Sequence, residues 1–237
     1  MGPPPLAITA MTADAEASPL PLMLWLSPAF PVGAFAYSHG LEWAVEAGDI
    51  YDAQSLGGWL VDLLLYGAPR NDAMLFAESF RAAEAADWPA LLDANALSIA
   101  LANSAERRLE TTAQGSAFVA AARPAWDCGA LQRLAGEERV AYPVAVAAAA
   151  AGRGLPLRPS LEAFVLALVS NLVSAVVRLG PIGQTDGQKI LAGLLPRIRA
   201  LAEGAASATL DEIGGCAFRS DIAAMKHETQ YSRLFRS

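Results

Sequence analysis

Alanine does most to limit what this chain can become. It dominates an apolar fraction of 54%, while Val, Ile and Thr never gather into alternating runs. Alanine loses no side-chain entropy in a helix, whereas a half-buried strand needs apolar residues at every second position. The chain therefore reads as all-α, a single-domain bundle of about ten helices. No internal repeat, hairpin signal or long polar linker divides it.

Glycine and proline punctuate the helices. Residues 1–18 read as a flexible leader, 19–218 as the helical domain and 219–237 as a carboxy-terminal tail. A first helix is predicted from Tyr37 to Ala47, with Gly48 as its left-handed cap. Asp52 caps the next, whose stripe is Leu56, Leu60, Leu63 and Leu64, and Gly67 with Pro69 end it. Helical pattern resumes over Asn71–Ala86, Pro89–Ala102, Ser104–Ala122 (stopping before Pro124) and Pro143–Ala151. Ser160 is placed to cap a long apolar helix that Gly180-Pro181 halts. Another helix follows Asp186, kinked or split by Pro196. Residues 207–217 are expected to be helical, and Ser220 or Asp221 to cap a last turn or two.

Charge narrows the function classes. The net charge is −7, and no Lys or Arg precedes Arg70, while Asp14, Glu16, Glu42, Glu46, Asp49, Asp52 and Asp62 do. An acidic front and a balanced remainder argue against nucleic-acid binding, which needs a basic face to displace phosphate counterions. The most apolar uncharged run, Ala163–Val177, has 15 residues and includes Ser170, Asn171 and Ser174. A bilayer span needs roughly 20 apolar residues, so this run reads as a buried helix and the cytoplasm as the compartment. Nothing at the amino terminus has the form of a secretory signal. Cys128 and Cys216 are the only cysteines, and a chain of this size needs no bridge between them.

Catalytic and metal chemistry find little to work with. The only histidines are His39 and His227. Ser38 adjoins His39, but neighbours on a helix point apart and make no nucleophile–base pair, and no Gly-x-Ser-x-Gly elbow exists. No Cys-x-x-Cys or His-x-x-x-His spacing occurs. His39 with Glu42, and His227 with Glu228, remain as half-sites for a metal, or as ordinary surface polarity. Gly180 to Gly187 lacks the Gly-Lys-[Ser/Thr] ending of a phosphate loop. Two alternatives stay open beside a binding protein: a helical enzyme using Ser38, His39 and Glu42, and a metal carrier using His39 or His227.

Arg178 ends the most apolar helix. Its guanidinium must reach solvent, pair with a carboxylate, emerge at an interface or complement the helix dipole. The tail is more informative. Arg219, Lys226, Arg233 and Arg236 outweigh Asp221 and Glu228, and Ile222, Met225 and Thr229 form one stripe ahead of Tyr231, Leu234 and Phe235. Such a terminus packs back on its own domain or folds into a groove on another protein. Its Arg, Tyr and Phe are residue types that carry interface energy, which favours the partner.

Three blocks together resemble the F-type urease accessory proteins (UreF). They are Leu26–Glu42 (LSPAFPVGAFAYSHGLE), Asn171–Gln188 (NLVSAVVRLGPIGQTDGQ) and Asp221–Ser237 (DIAAMKHETQYSRLFRS). A weaker match runs from Glu106 to Gly115. The resemblance implies an all-α homodimer without catalytic activity. It implies assembly with the D-type (or H-type) accessory protein, recruitment of the G-type GTPase and delivery of nickel to apo-urease. On this reading nickel is in transit and no cofactor or metal is stably bound. The tail is then the docking element for the D/H-type partner: Arg219, Lys226, His227, Glu228, Thr229, Gln230, Tyr231, Ser232, Arg233, Leu234, Phe235, Arg236 and Ser237. Tyr37 and Arg178 match family positions tied to partner or dimer contacts, and His39 and Glu42 join them as candidate dimer or GTPase-platform contacts. Two departures matter: Ala34 and Ala36 stand where Gly and Ser are frequent in the family, and Tyr142-Pro143 stands where several relatives have His-Pro. No nickel role of that histidine transfers here.

Overall fold

The computed structural model describes residues 18–237; of the leader assigned to 1–18, all but Ser18 lies outside them. Among the described residues there are eleven α-helices and no strand. The first four are α1 (Leu20–Trp25), α2 (Leu41–Glu46), α3 (Ala53–Tyr66) and α4 (Ala68–Glu84). Next come α5 (Trp88–Ala100), α6 (Ala105–Trp126), α7 (Gly129–Leu134) and α8 (Tyr142–Gly152). The last are α9 (Leu157–Leu179), α10 (Gln184–Ser207) and α11 (Phe218–His227).

The alanine run explains the architecture. In α8 every residue from Pro143 to Ala150 is buried, so this helix is apolar on all sides and occupies the centre. Its small side chains let α4 and α6 pack directly against it, with α7 at one end. Larger groups fill the space around it. Phe76 and Phe164 lie 5.1 Å apart, centroid to centroid, and Trp25 meets Phe118 and Trp126 edge-on at 5.9 and 5.6 Å. Helix α9 is long and apolar enough to cross a bilayer, at a mean hydropathy of 1.9, but half of its apolar stretch is buried inside the fold. It packs against α10, α4 and α2.

Local signals set several helix ends, and tertiary contacts overrule others. Asp52 accepts the Ser55 amide at 2.8 Å and caps α3 in a reciprocal box. Pro69 starts α4 within its first turn, where its missing N–H is harmless. Pro124 does not stop α6, and Pro196 does not split α10. The carbonyls these prolines leave unpaired belong to Ala120 and Ala192, both on exposed residues where water can substitute. Ser160 is no cap: α9 begins at Leu157, and the Ser160 hydroxyl donates to the Pro156 carbonyl at 2.8 Å. The short helix α7 carried no strong periodic signal and was not foreseen. Of residues 207–217, Ser207 closes α10 and Leu210–Glu212 form one 3₁₀ turn, while the others are not helical. Arg70 donates to the Glu212 and Gly214 carbonyls, and Asn71 accepts the Gly214 amide, so α4 satisfies this backbone in place of a helix.

Candidate functional site: the tail and its seat

The seat of the tail is made by two departures from helix. The segment expected to begin a helix at Tyr37 instead turns at His39 (φ 57°) and Gly40 (φ 76°), and α2 starts at Leu41. A Cβ on Gly40 would lie 2.5 Å from the Ala224 nitrogen, so glycine here permits both the left-handed turn and the close approach of α11. Across from α2, the first turns of α6 carry Glu106, Glu110 and Gln114 on one stripe, at intervals of four.

Two polar clusters hold the tail in this seat. In the first, His227 is fully buried between two carboxylates, with Nδ1 2.6 Å from Glu106 and Nε2 3.1 Å from Glu42. Glu42 also accepts the backbone amides of Leu234 (2.6 Å) and Phe235 (2.9 Å). Arg233 donates to the other oxygen of Glu106 at 2.7 Å. The Gln230 side chain donates to Glu46, and the Glu228 carboxylate accepts the Ala105 amide at 2.7 Å, at the start of α6.

The second cluster centres on Glu110. It accepts from His39 Nε2 (2.7 Å), Gln114 (3.0 Å), the Ser237 hydroxyl (3.0 Å) and Arg107. Burial alone would raise the Glu110 carboxyl, but the Arg107 guanidinium, aided by His39 and their hydrogen bonds, holds it at about 2. Burial and the same guanidinium push His39 below the ordinary histidine range, against the pull of Glu110. With His39 neutral, Arg107 carries most of the effect on Glu110. Asp72, in a small polar pocket with Ser98, Asn103 and Arg107, is raised by burial to about 6. Ser38 donates both its amide and its hydroxyl to the Ser237 carbonyl oxygen, and the Arg236 amide donates to Ala36 at 2.8 Å.

Tyr37 is buried, and burial raises its hydroxyl against the opposing pull of Arg236. Arg178 resolves differently: its guanidinium lies 4.4 Å from the centre of the Phe235 ring, so the end of α9 carries the end of the tail. Arg219 pairs with Asp49 at 2.6 Å.

The tail thus has two faces. Ala223, Ala224, His227, Gln230, Phe235 and Ser237 point inward and are buried. Phe218, Ile222, Met225, Tyr231 and Leu234 point outward, each at least half exposed. Beside Phe218, a groove of about 220 Å³ is lined by Trp59, Leu63 and Tyr66. Lys226, Thr229 and Ser232 are also exposed.

Residues 50–195 match the model of the UreF family. A urease accessory protein UreF of Xanthobacter autotrophicus is 58% identical over 229 residues, which span 95% of this chain and 93% of the relative. The chain belongs to the UreF family. UreF proteins of Rhodopseudomonas palustris (strain HaA2) and Azorhizobium caulinodans are 52% and 50% identical, over 96% and 97% of this chain. As a UreF it is a urease accessory protein and not an enzyme. Ser38 and His39 face Ser237 and Glu110 instead of each other.

Sequence reasoning assigned His39 and Glu42 to a contact surface, whereas this UreF buries them under its tail. It missed Arg107 and Glu110 as their partners, although the weaker family match from Glu106 to Gly115 covers both. A charged stripe at intervals of four, on a helix whose sequence shows little apolar bias, was the available signal.

Proposed function

We propose that this chain acts as an adaptor in the maturation of the urease nickel centre. It bridges the D/H-type accessory protein and the G-type GTPase, as a cytoplasmic homodimer, and delivers its assembly to apo-urease. Nickel is cargo in transit and is not stably held. The observation that carries this reading is the outward face of the tail: five large apolar side chains in water beside an aromatic groove. Large apolar side chains left exposed in this way mark an interaction site, and Tyr, Phe and Met are suited to it.

The tail does not have to choose between its own domain and a partner, since one face serves each. Arg178, exposed over Phe235, is the direct contact proposed for the second partner. Tyr37, His39 and Glu42 act on that surface from beneath, by setting the position of residues 233–237. Both ring nitrogens of His227 are engaged by carboxylates, which suits passage of nickel better than storage. Among the described residues no group of three or more His, Cys, Asp or Glu side chains is arranged to hold a metal ion.

The test is co-purification of the D/H-type partner with the double variant Ile222→Glu, Met225→Glu. Both side chains are exposed, so the fold and helical circular dichroism should persist while affinity falls by about tenfold or more. Wild-type affinity in that variant would remove the docking reading.

A further inference from the structure

We infer that Glu42, His227 and Glu106 form a hydrogen-bonded clasp that fixes the register of the tail and so shapes its outward face. Each ring nitrogen of His227 faces a carboxylate oxygen, at 2.6 Å and 3.1 Å. Both contacts are within hydrogen-bond reach, so the ring is held from two sides. The buried ring lies between Glu42 from α2 and Glu106 from α6, and the Arg233 guanidinium pairs with the other oxygen of Glu106. Each carboxylate thus has partners where desolvation would make an unpaired one costly. The other charged groups around the ring are occupied elsewhere. Glu46 takes Gln230, Glu228 takes the Ala105 amide, and Glu110 pairs with Arg107 and His39.

Glu42 converts this pairing into geometry. Its two oxygens take the successive amides of Leu234 and Phe235, which ties that stretch of backbone to α2. Leu234 is then left 65% exposed and Phe235 only 4%, with the Phe235 ring under Arg178. A slip of one residue would bury Leu234 and expel Phe235. Glu42, His227 and Glu106 are therefore positioning residues. The clasp stands on its own geometry, while its consequence for partner binding rests on the docking reading above.

Glu42→Gln is the decisive variant. A carboxamide has one acceptor oxygen and two N–H donors, so it cannot take both tail amides and His227 together. In full-length protein without partner, hydrogen exchange at the Leu234 and Phe235 amides should quicken by about tenfold or more, as expected for one lost net hydrogen bond. Exchange in α8 should not change, which separates release of the tail from general destabilisation. Glu106→Gln should free Arg233 and the Nδ1 side of the ring, with a smaller effect on those two amides. Unchanged exchange in Glu42→Gln would overturn the clasp. Loss of partner binding by Ile222→Glu, Met225→Glu is a separate outcome, so the clasp and the docking reading can fail independently.

Discussion

At the scale of single residues, buried charge sets how this protein responds to pH. Asp72 and Glu110 are both carboxylates in one polar region, yet burial raises Asp72 to about 6 while Arg107 holds Glu110 at about 2. The difference is one of partners: Arg107 donates to Glu110, and no side-chain hydrogen bond to Asp72 offsets its burial among the described residues. A folded pKa raised above the unfolded value favours folding at low pH and loses that favour as pH rises. Asp72 thus costs stability progressively between about pH 4 and pH 6, with a ceiling near 3 kcal/mol for roughly two units. Asp72→Asn should be more stable than the natural protein above pH 6, and the gap should close below pH 4, measured by urea unfolding across that range. Glu110 has the opposite sign. Its contribution is complete above its unfolded value and disappears only as pH falls toward 2.

Helices are positioned here by what their ends permit. Gly40 and Gly48 both sit at positive φ, at opposite ends of α2, but only Gly40 faces another backbone, that of α11. Gly48→Ala should cost the left-handed strain alone, about 1–2 kcal/mol. Gly40→Ala should cost more and should also speed hydrogen exchange in 218–237, because α11 must move away. Equal losses in the two variants, with an undisturbed tail, would contradict the close packing of α2 and α11. The end signals at Asp52, Gly67 and Gly180 were legible because a cap depends only on neighbours in the chain. The start of α2 was not legible, because the turn at His39 and Gly40 answers to Ala224, far along the sequence.

For the molecule as a whole, the proposed homodimer predicts sedimentation at about twice the 24.7 kDa of one chain in the micromolar range. A strictly monomeric protein there would remove that part of the proposal. The all-α class was determined by the sequence alone, since alanine-rich composition and apolar period act locally on every turn. So was membership of the UreF family, carried by three ordered blocks that include the tail. The meeting of His227 with Glu42 and Glu106 was decided only by tertiary structure, since these residues stand 185 and 121 positions apart. The same holds for which tail side chains face water. Helical period gives each element a buried stripe, but it carries no information on how two distant stripes align. That alignment arises when buried charges must find partners inside one shared core.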